Sequence, residues 1–241
     1  MMSRGLRAWM RPLRLTPLHP QWLIFRAESH GRAWVRTHAH GQVLDVGCAD
    51  AWARTLLTGC EYIGLDYPTT AISMYRTSPD VFADGKAIPF AEGSFDTVLL
   101  LEVLEHVREP DEVLREAARV LKPGGTLLLS MPFLYPLHDA PHDYRRYTEH
   151  GLRQVVSAAG LVTGELVPRA PGLESAALLT AIACAESVVN ASRHQRWRLI
   201  FAPLFIALIP VANALGWLST RMVGRSQISA AGYALIATKP E

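Results

Sequence analysis

Short apolar runs alternate with helical stretches from about residue 41 to residue 170, and this alternation limits the fold more than any other feature. The runs containing LLL and LLLS are continuously apolar, as expected where helices cover both faces of a sheet. A last run, GYALIATKP, predicts a further strand near the C-terminus. The alternation therefore predicts an α/β fold around a seven-stranded, mostly parallel sheet. The other six predicted strands are 42–46, 61–66, 80–84, 95–101, 125–131 and 161–167.

Composition narrows the function classes. The 241 residues carry a net charge of +2, which gives no basic field of the kind that nucleic-acid binding requires. Three cysteines, an odd and sparse set, argue against a disulfide framework and favour a reducing, cytoplasmic compartment. Hydrophobic residues make up 49% and charged residues 19%, which predicts apolar surface beyond an ordinary core.

Three regions follow from this pattern. Residues 1–40 form a basic extension and a cap helix, in which Arg4, Arg7, Arg11 and Arg14 precede the first acidic residue. Residues 41–171 together with 230–241 form the sheet domain. Residues 172–229 form an apolar helical insertion before the last strand.

The segment VLDVGCADAWAR follows the first strand and opens a helix. A glycine-bearing turn at the carboxyl end of a parallel strand lets a ligand approach the backbone. Asp66 ends the next strand about 20 residues later, where a carboxylate is able to bind two ribose hydroxyls. The motif G-x-G-x-x-G of dinucleotide dehydrogenases, the structural alternative, is absent after this strand.

Four segments in order, VLDVGCADA, YIGLDYP, ADGKAIPFAEGSFDTVLLLEVLEHV and RVLKPGGTLLLSMP, resemble the class I S-adenosylmethionine-dependent methyltransferases of small-molecule type. The resemblance covers about 40–170 plus the last strand and implies a Rossmann-like domain that binds S-adenosylmethionine. It implies that Asp45 and Gly47 border the methionine part of the cofactor, and that Asp66 binds the ribose. It also implies that Asp84 and the Gly85 backbone bind the adenine, with Glu102 beside the sulfonium.

One departure from the family pattern concerns Ala49 and Ala51, which stand where glycines are usual. If these positions need a positive φ, alanine costs about 1 kcal/mol or more. Weakened cofactor binding is then expected, and a non-catalytic domain is an alternative.

The acceptor side is predicted in MPFLYPLHDAPHDYRRYTEHGL, after the fifth strand. A general base for a hydroxyl acceptor is expected among His106, His138 and His142, with His138 or His142 preferred, because histidine titrates near neutral pH. Tyr144, Arg145 and Arg146 are the expected substrate-binding residues, with an Asp143–Arg146 pair as the structural alternative. The pattern H-x-x-x-H-D-Y-x-R-Y-T resembles methyltransferases of bacterial surface-glycan pathways.

Glu102, Glu105 and His106 fall on one face of a helical turn and are candidate ligands for a divalent cation. The set resembles the metal triad of ubiquinone-biosynthesis O-methyltransferases and of small-RNA 2′-O-methyltransferases. The segment VLEHV is also common in the superfamily without a metal, so a structural role for Glu105 and His106 stays open.

The stretch 199–218 has about 20 residues without charge, long enough for a membrane span. A single crossing conflicts with the return of the chain to the sheet, so helices 173–191 and 199–222 are expected to form a hairpin. Three roles are open: membrane contact at the inner face of the cell membrane, a cap over the active site, or a dimer interface. The arginines expected at the lipid headgroups are Arg196, Arg198, Arg221 and Arg225.

The expected function is methyl transfer from S-adenosylmethionine to a sugar-like or lipid-linked hydroxyl of a small molecule. The alternatives are a metal-assisted O-methyltransferase acting on a phenolic or quinone-like ring, and a non-catalytic, membrane-anchored module. The oligomeric state is not predicted.

Overall fold

The computed structural model describes residues 10–224 and 229–241 and has a seven-stranded sheet in the order β3-β2-β1-β4-β5-β7-β6. The predicted α/β fold with a Rossmann-like sheet is confirmed. Arg4, Arg7 and Arg225, which the sequence assigned to an anionic surface, lie outside the described residues. The strands are β1 Gln42–Val46, β2 Glu61–Asp66, β3 Val81–Phe82, β4 Phe95–Leu101, β5 Leu121–Pro132, β6 Val162–Pro171 and β7 Ala230–Thr238.

Within residues 10–224 and 229–241, five complete α-helices accompany the strands. The predicted apolar pair is present as two long helices joined by a 3-10 turn, Arg196–Phe201. Shorter turns at Trp52–Thr55, Thr70–Tyr75 and Leu104–His106 follow β1, β2 and β4. The helices are α1 Trp22–His38, α2 Pro110–Val120, α3 Glu149–Ala158, α4 Leu173–His194 and α5 Ala202–Met222.

Strand β1 pairs in parallel with both β2 and β4, and β4 pairs in parallel with β5. Strand β7 runs the other way, because Gly124 N–H donates to Lys239 O and Lys239 N–H donates to Gly125 O, each at 2.9 Å. The carboxyl ends of β1, β2 and β4 therefore meet at one edge, where open α/β sheets bind ligands.

The predicted strand boundaries are confirmed for β1, β2 and β4. The prediction for the third strand was too long, since only Val81–Phe82 pair with β2. Ala83 N–H still donates to Asp66 O, and the chain then enters the turn that Asp84 caps.

The chain divides into two compact units. The sheet unit comprises Gly31–Phe133, Asp139–Val167 and Tyr233–Glu241. The helical unit comprises the described residues of Met1–His30, Leu134–His138 and Pro168–Gly232. The helical unit thus combines the N-terminal segment and the apolar insertion, which the sequence had separated.

Each unit has its own apolar core. In the sheet unit, Val35 of α1, Val43 of β1 and Leu99 of β4 are fully or almost fully buried in one cluster. In the helical unit, α4 and α5 approach closely at Gly216, where an added Cβ would lie 2.6 Å from the Ala177 Cβ. Asn213 is buried on the same face of α5 and donates to the carbonyls of Pro17 and His19. The inner face of α5 is therefore fully used within its own unit.

Candidate functional site

The turn after β1 has the geometry of a ligand cradle. Gly47 has φ +75°, and its N–H and that of Cys48 both donate to Leu65 O of β2, at 2.8 and 3.1 Å. A Cβ at Gly47 would lie 2.7 Å from Cγ2 of Val103. Glycine is therefore required here by conformation and by space.

Asp66 faces this turn from the end of β2. Its Oδ2 accepts the Ala49 N–H at 2.9 Å and its Oδ1 accepts the Tyr67 N–H at 2.7 Å. Burial raises the pKa of Asp66, and the two backbone hydrogen bonds oppose that shift. A carboxylate has about four acceptor positions, so each oxygen retains capacity for another donor.

Asp45 at the end of β1 is buried and accepts the hydroxyl of Tyr62 on Oδ2 at 2.5 Å. Burial raises the pKa of Asp45 to about 7, against the lowering effect of the Tyr62 hydrogen bond and with repulsion from Asp66. A buried carboxylate with this pKa carries partial charge at neutral pH, and a cation placed beside it would favour the ionised form.

Ala49 and Ala51 both have positive φ, +47° and +51°. These are left-handed conformations that glycine adopts freely and alanine disfavours. The condition stated for the two alanines in the sequence is therefore met, and strain is stored in the turn that carries the Asp66 hydrogen bond.

Glu102 follows β4 with φ +57°, another uncommon conformation for a residue with a side chain. Its N–H donates to Ser130 O at 2.8 Å, and the Ser130 hydroxyl donates to Glu102 Oε1 at 2.8 Å. Strand β5 thereby fixes both the backbone and the carboxylate of Glu102 at the carboxyl edge of the sheet.

Asp84 and Gly85 lie in the turn after β3. The Asp84 Oδ1 accepts the Lys86 N–H at 2.9 Å, and an added Cβ on Gly85 would lie 3.2 Å from Cγ1 of Val46. This turn adjoins β1, while the adenine contact assigned to Asp84 stays a prediction.

The loop after the fifth strand brings two of the three candidate histidines together. His106 Nδ1 lies 2.6 Å from the carbonyl oxygen of His142, and Tyr144 N–H donates to Glu105 O at 2.8 Å. A carbonyl oxygen only accepts, so Nδ1 of His106 carries the proton and Nε2 is the basic nitrogen of the neutral ring. His138 belongs to the helical unit, where its ring packs edge-on against Tyr135.

The three predicted substrate-binding side chains have different surroundings. The Arg146 guanidinium forms a two-point ion pair with Asp143, at 2.5 and 2.8 Å, which is the structural alternative considered for it. Arg145 donates to the carbonyl oxygen of Arg108, and Arg108 donates to the Tyr144 hydroxyl at 3.3 Å. Tyr144 is 37% exposed, and the Arg108 guanidinium lies over its ring, 5.4 Å from the centroid.

The candidate metal ligands include one deeply buried acid. Glu105 is fully buried, and His106 Nε2 lies 3.7 Å from its Oε1. Burial raises the pKa of Glu105 well above its usual value, with repulsion from Glu102 as the second cause. A divalent cation would relieve both effects, so a metal role for Glu102, Glu105 and His106 stays a prediction.

Sequence reasoning missed Tyr62 and Ser130, which position Asp45 and Glu102. Tyr62, Gly64 and Asp66 alternate along β2 and share one face, so the strand period placed the tyrosine beside the Asp45 carboxylate. It also missed Tyr75, whose pKa burial raises to about 12, with the charges of Asp139 and Asp66 adding to the shift.

Comparison with known proteins shows which family the carboxyl edge of the sheet resembles. Residues 44–129 match the family described as "Methyltransferase domain". This part of the sheet unit is therefore similar to a methyltransferase domain. The matched stretch runs from β1 into β5 and includes every residue assigned above to the cofactor. The methyltransferase match ends before the loop that contains His138 and Arg146.

Curated relatives include ubiquinone biosynthesis O-methyltransferases. The chain is similar to that of Paracidovorax citrulli, 34% identical over 52% of this chain and 54% of the relative. It is also similar to that of Thiobacillus denitrificans, 28% identical over 63% of this chain and 74% of the relative. The chain spans about half the length of the first of these relatives. The glycan-pathway resemblance suggested by the histidine loop is not supported by these matches.

Solved structures share the fold at low identity. The cyclase SpnF aligns with a TM-score of 0.59 at 17% identity, over 98% of this chain and 95% of that one. A putative sarcosine dimethylglycine methyltransferase from Galdieria sulphuraria aligns with a TM-score of 0.56 at 16% identity, over 99% of each chain. These likenesses show the fold alone.

Ala49→Gly and Ala51→Gly are each expected to stabilise the protein by about 1 kcal/mol, because glycine removes the left-handed penalty of alanine. Urea unfolding measures the change. Ala87→Gly is the matched control, since Ala87 is exposed and has no positive φ; it should be neutral or destabilising. Destabilisation by both Ala49→Gly and Ala51→Gly would contradict the inference that the two alanines are strained.

Asp45→Asn is expected to change the pH dependence of stability. Burial raises the folded-state pKa of Asp45 from its ordinary value of 3.8 to about 7. The wild-type protein therefore loses stability as pH rises from about 4 to 7, by up to about 4 kcal/mol from this group. Urea unfolding between pH 4 and pH 8 should show that the free energy of unfolding of the variant increases relative to that of the wild type as pH rises.

The control for this profile is Asp111→Asn, since Asp111 is exposed at the start of α2 and is not among the groups that shift the pKa of Asp45. Its stability should follow the wild-type pH profile. Parallel profiles for the wild type and Asp45→Asn would show that Asp45 ionises at its ordinary pKa.

Proposed function

We propose that the chain transfers a methyl group from S-adenosylmethionine to a hydroxyl group of a small, phenolic or quinone-like acceptor. The observation that carries the proposal is the pair of buried carboxylates, Asp45 and Asp66, at the ends of adjacent parallel strands around the Gly47 turn. An adenosyl ligand with cationic substituents needs a turn whose backbone it can approach closely. It also needs carboxylates at the carboxyl ends of the neighbouring strands.

The cradle fits such a cofactor in three respects. Gly47 keeps the backbone bare where a side chain would collide with Val103. Asp66 is oriented toward the turn by two backbone N–H groups and has remaining capacity for ribose hydroxyls. Asp45 is a buried acid whose ionised form a nearby positive charge would stabilise. When bound, S-adenosylmethionine supplies an electrophilic methyl group on a sulfonium.

The acceptor hydroxyl must lose a proton, and His106 is the base that the geometry favours. Its Nδ1 donates to the His142 carbonyl oxygen, so Nε2 is the ring nitrogen that carries no proton in the neutral form. The buried Glu105 carboxyl, 3.7 Å from Nε2, would stabilise the imidazolium when ionised. His142 acts on this proposal as a positioning residue through its backbone.

The acceptor class rests on the relatives. The ubiquinone biosynthesis O-methyltransferases act, by name, in forming a quinone, and this supports the phenolic alternative over a sugar-like hydroxyl. The same relatives make a metal-assisted reaction at Glu102, Glu105 and His106 the second candidate. Methyl transfer that a chelator abolishes and Mg²⁺ restores would favour it.

Asp66→Ala is expected to weaken binding of S-adenosylhomocysteine by about 100-fold, since two charge-assisted hydrogen bonds are lost. Calorimetry measures the affinity, and circular dichroism checks the fold. Asp111→Ala, an exposed acid at the start of α2, is the matched control and should bind like the wild type. Failure of the wild type to bind at millimolar ligand would leave only the non-catalytic module.

His106→Gln is expected to lower methyl transfer by about 100-fold or more while leaving S-adenosylhomocysteine affinity unchanged, because only the proton acceptor is removed. Labelled methyl transfer into a cell extract measures activity and identifies the acceptor by its partition into organic solvent. His150→Gln is the control, an exposed histidine on α3. Equal activity of both variants with the wild type would exclude His106 as the base.

A further inference from the structure

The outer face of α5 is apolar along its whole length. The most apolar 18-residue window of Arg196–Met222 has a mean hydropathy of 2.1, and only 17% of that window is buried. A core helix of the same composition would be mostly buried. Five exposed large side chains follow helical spacing on one side, Leu204, Leu208, Val211, Leu215 and Leu218, and Ile206 is exposed outside this stripe.

This face is not needed for packing within its own unit. Ile209, Asn213 and Gly216 lie on the opposite side of α5, where they are buried. Ile209 packs in a small cluster with Ala181 and Cys184 of α4. The helix pair is therefore complete without the outer stripe of α5, which leaves that stripe for another partner.

The outer face of α4 differs in kind. Between Ala176 and Asn190 its exposed positions carry small or polar side chains, Ala176, Thr180, Ala183, Glu186, Ser187 and Asn190, while Leu173 at the start of the helix is exposed. Both α4 and α5 are long enough to cross a bilayer. A spanning hairpin would place Glu186 in or near the hydrocarbon, which is unfavourable for a carboxylate. The exposed face of α5 is therefore suited to lipid, and the exposed face of α4 is suited to water.

The charges beside the stripe have one sign. No aspartate or glutamate occurs from residue 187 to residue 240. Arg196 and Arg198 precede α5, and Arg221 lies in its last turn. The Arg198 guanidinium lies 5.4 Å from the ring centroid of Trp197, which is 69% exposed, whereas the Arg221 guanidinium lies 4.1 Å from the ring centroid of Trp217, which packs against the core of its own unit. Arginines at both ends of α5 and an exposed tryptophan at its start match the headgroup layer of an anionic membrane.

We propose that α5 lies in the plane of an anionic lipid bilayer, with its apolar stripe in the acyl boundary and α4 on the aqueous side. Two copies of the chain are a poorer occupant of the stripe. An antiparallel pair of α5 helices would bring Arg196 and Arg198 of one copy against Arg221 of the other, with no acid on these segments. Lipid phosphates supply the missing opposite charge.

Vesicle flotation of the full chain tests this directly, without cofactor or acceptor, so its outcome is independent of methyl transfer. The wild type should float with vesicles of phosphatidylcholine and phosphatidylglycerol and much less with phosphatidylcholine alone. Leu204→Gln/Leu215→Gln should lower vesicle affinity about 100-fold, since two apolar side chains no longer enter the boundary. Val162→Gln is the matched control, an exposed apolar residue on the sheet unit, and should float like the wild type.

A second double variant tests the contribution of the two arginines that precede α5. Arg196→Ser/Arg198→Ser should lower affinity for the anionic vesicles about tenfold or more and reduce its dependence on salt. Affinity unchanged by both double variants would overturn the proposal. So would a wild type that ignores anionic vesicles and sediments as a dimer that Leu204→Gln/Leu215→Gln dissociates.

Thiol labelling tests the orientation, in a Cys60→Ser background because Cys48 and Cys184 are buried. Ala214→Cys places a thiol on the exposed side of α5, and Ala183→Cys places one on the exposed side of α4. Anionic vesicles should slow reaction of the first with a membrane-impermeant maleimide about tenfold and leave the second unchanged. Protection of both thiols would indicate a spanning hairpin and overturn the in-plane arrangement.

Discussion

Two carboxylates buried side by side at the ends of β1 and β2 are the constraint on which the site depends. Asp45 and Asp66 repel each other and are shielded from water, and both effects disfavour their ionised forms. The fold tolerates them because Tyr62 donates to the first and two backbone N–H groups donate to the second. Such a pair reduces stability near neutral pH, which is expected where a site is arranged for a cationic ligand.

Backbone strain is concentrated at the same edge. Ala49, Ala51 and Glu102 have positive φ, and all three follow strands β1 or β4 at their carboxyl ends. The hydrogen bond from Ala49 N–H to Asp66 requires the turn to keep this shape, so the strain and the carboxylate orientation are linked. An alanine in this conformation weakens the turn without closing it, because its Cβ is the smallest side chain that a non-glycine residue can present.

The sheet and its ligand edge were predictable because strand composition and two-residue alternation are local properties. The apolar runs gave β1, β2 and β4 their boundaries, and the position of Asp66 at a strand end placed its carboxylate at the edge. Side-chain partners across strands were harder, because they depend on register. Ser130 reaches Glu102 only through the pairing of β4 with β5, and the protonated nitrogen of His106 depends on a carbonyl 36 residues later in the chain.

The acceptor is a different problem from the cofactor, because the fold does not determine it. The cyclase SpnF aligns with nearly the whole chain, so this architecture is compatible with chemistry other than methyl transfer. The family match ends at residue 129, before the histidine loop and the apolar insertion. Those two segments therefore lie outside the stretch that resembles a methyltransferase domain. If α5 lies on a membrane, an apolar acceptor would be concentrated in the same phase as the protein. A phenolic ring with a hydrocarbon tail would supply both the hydroxyl group for methylation and the affinity for the membrane. A hydrophilic sugar acceptor would not be concentrated at the membrane. Membrane binding by α5 would therefore favour an apolar labelled product over a sugar.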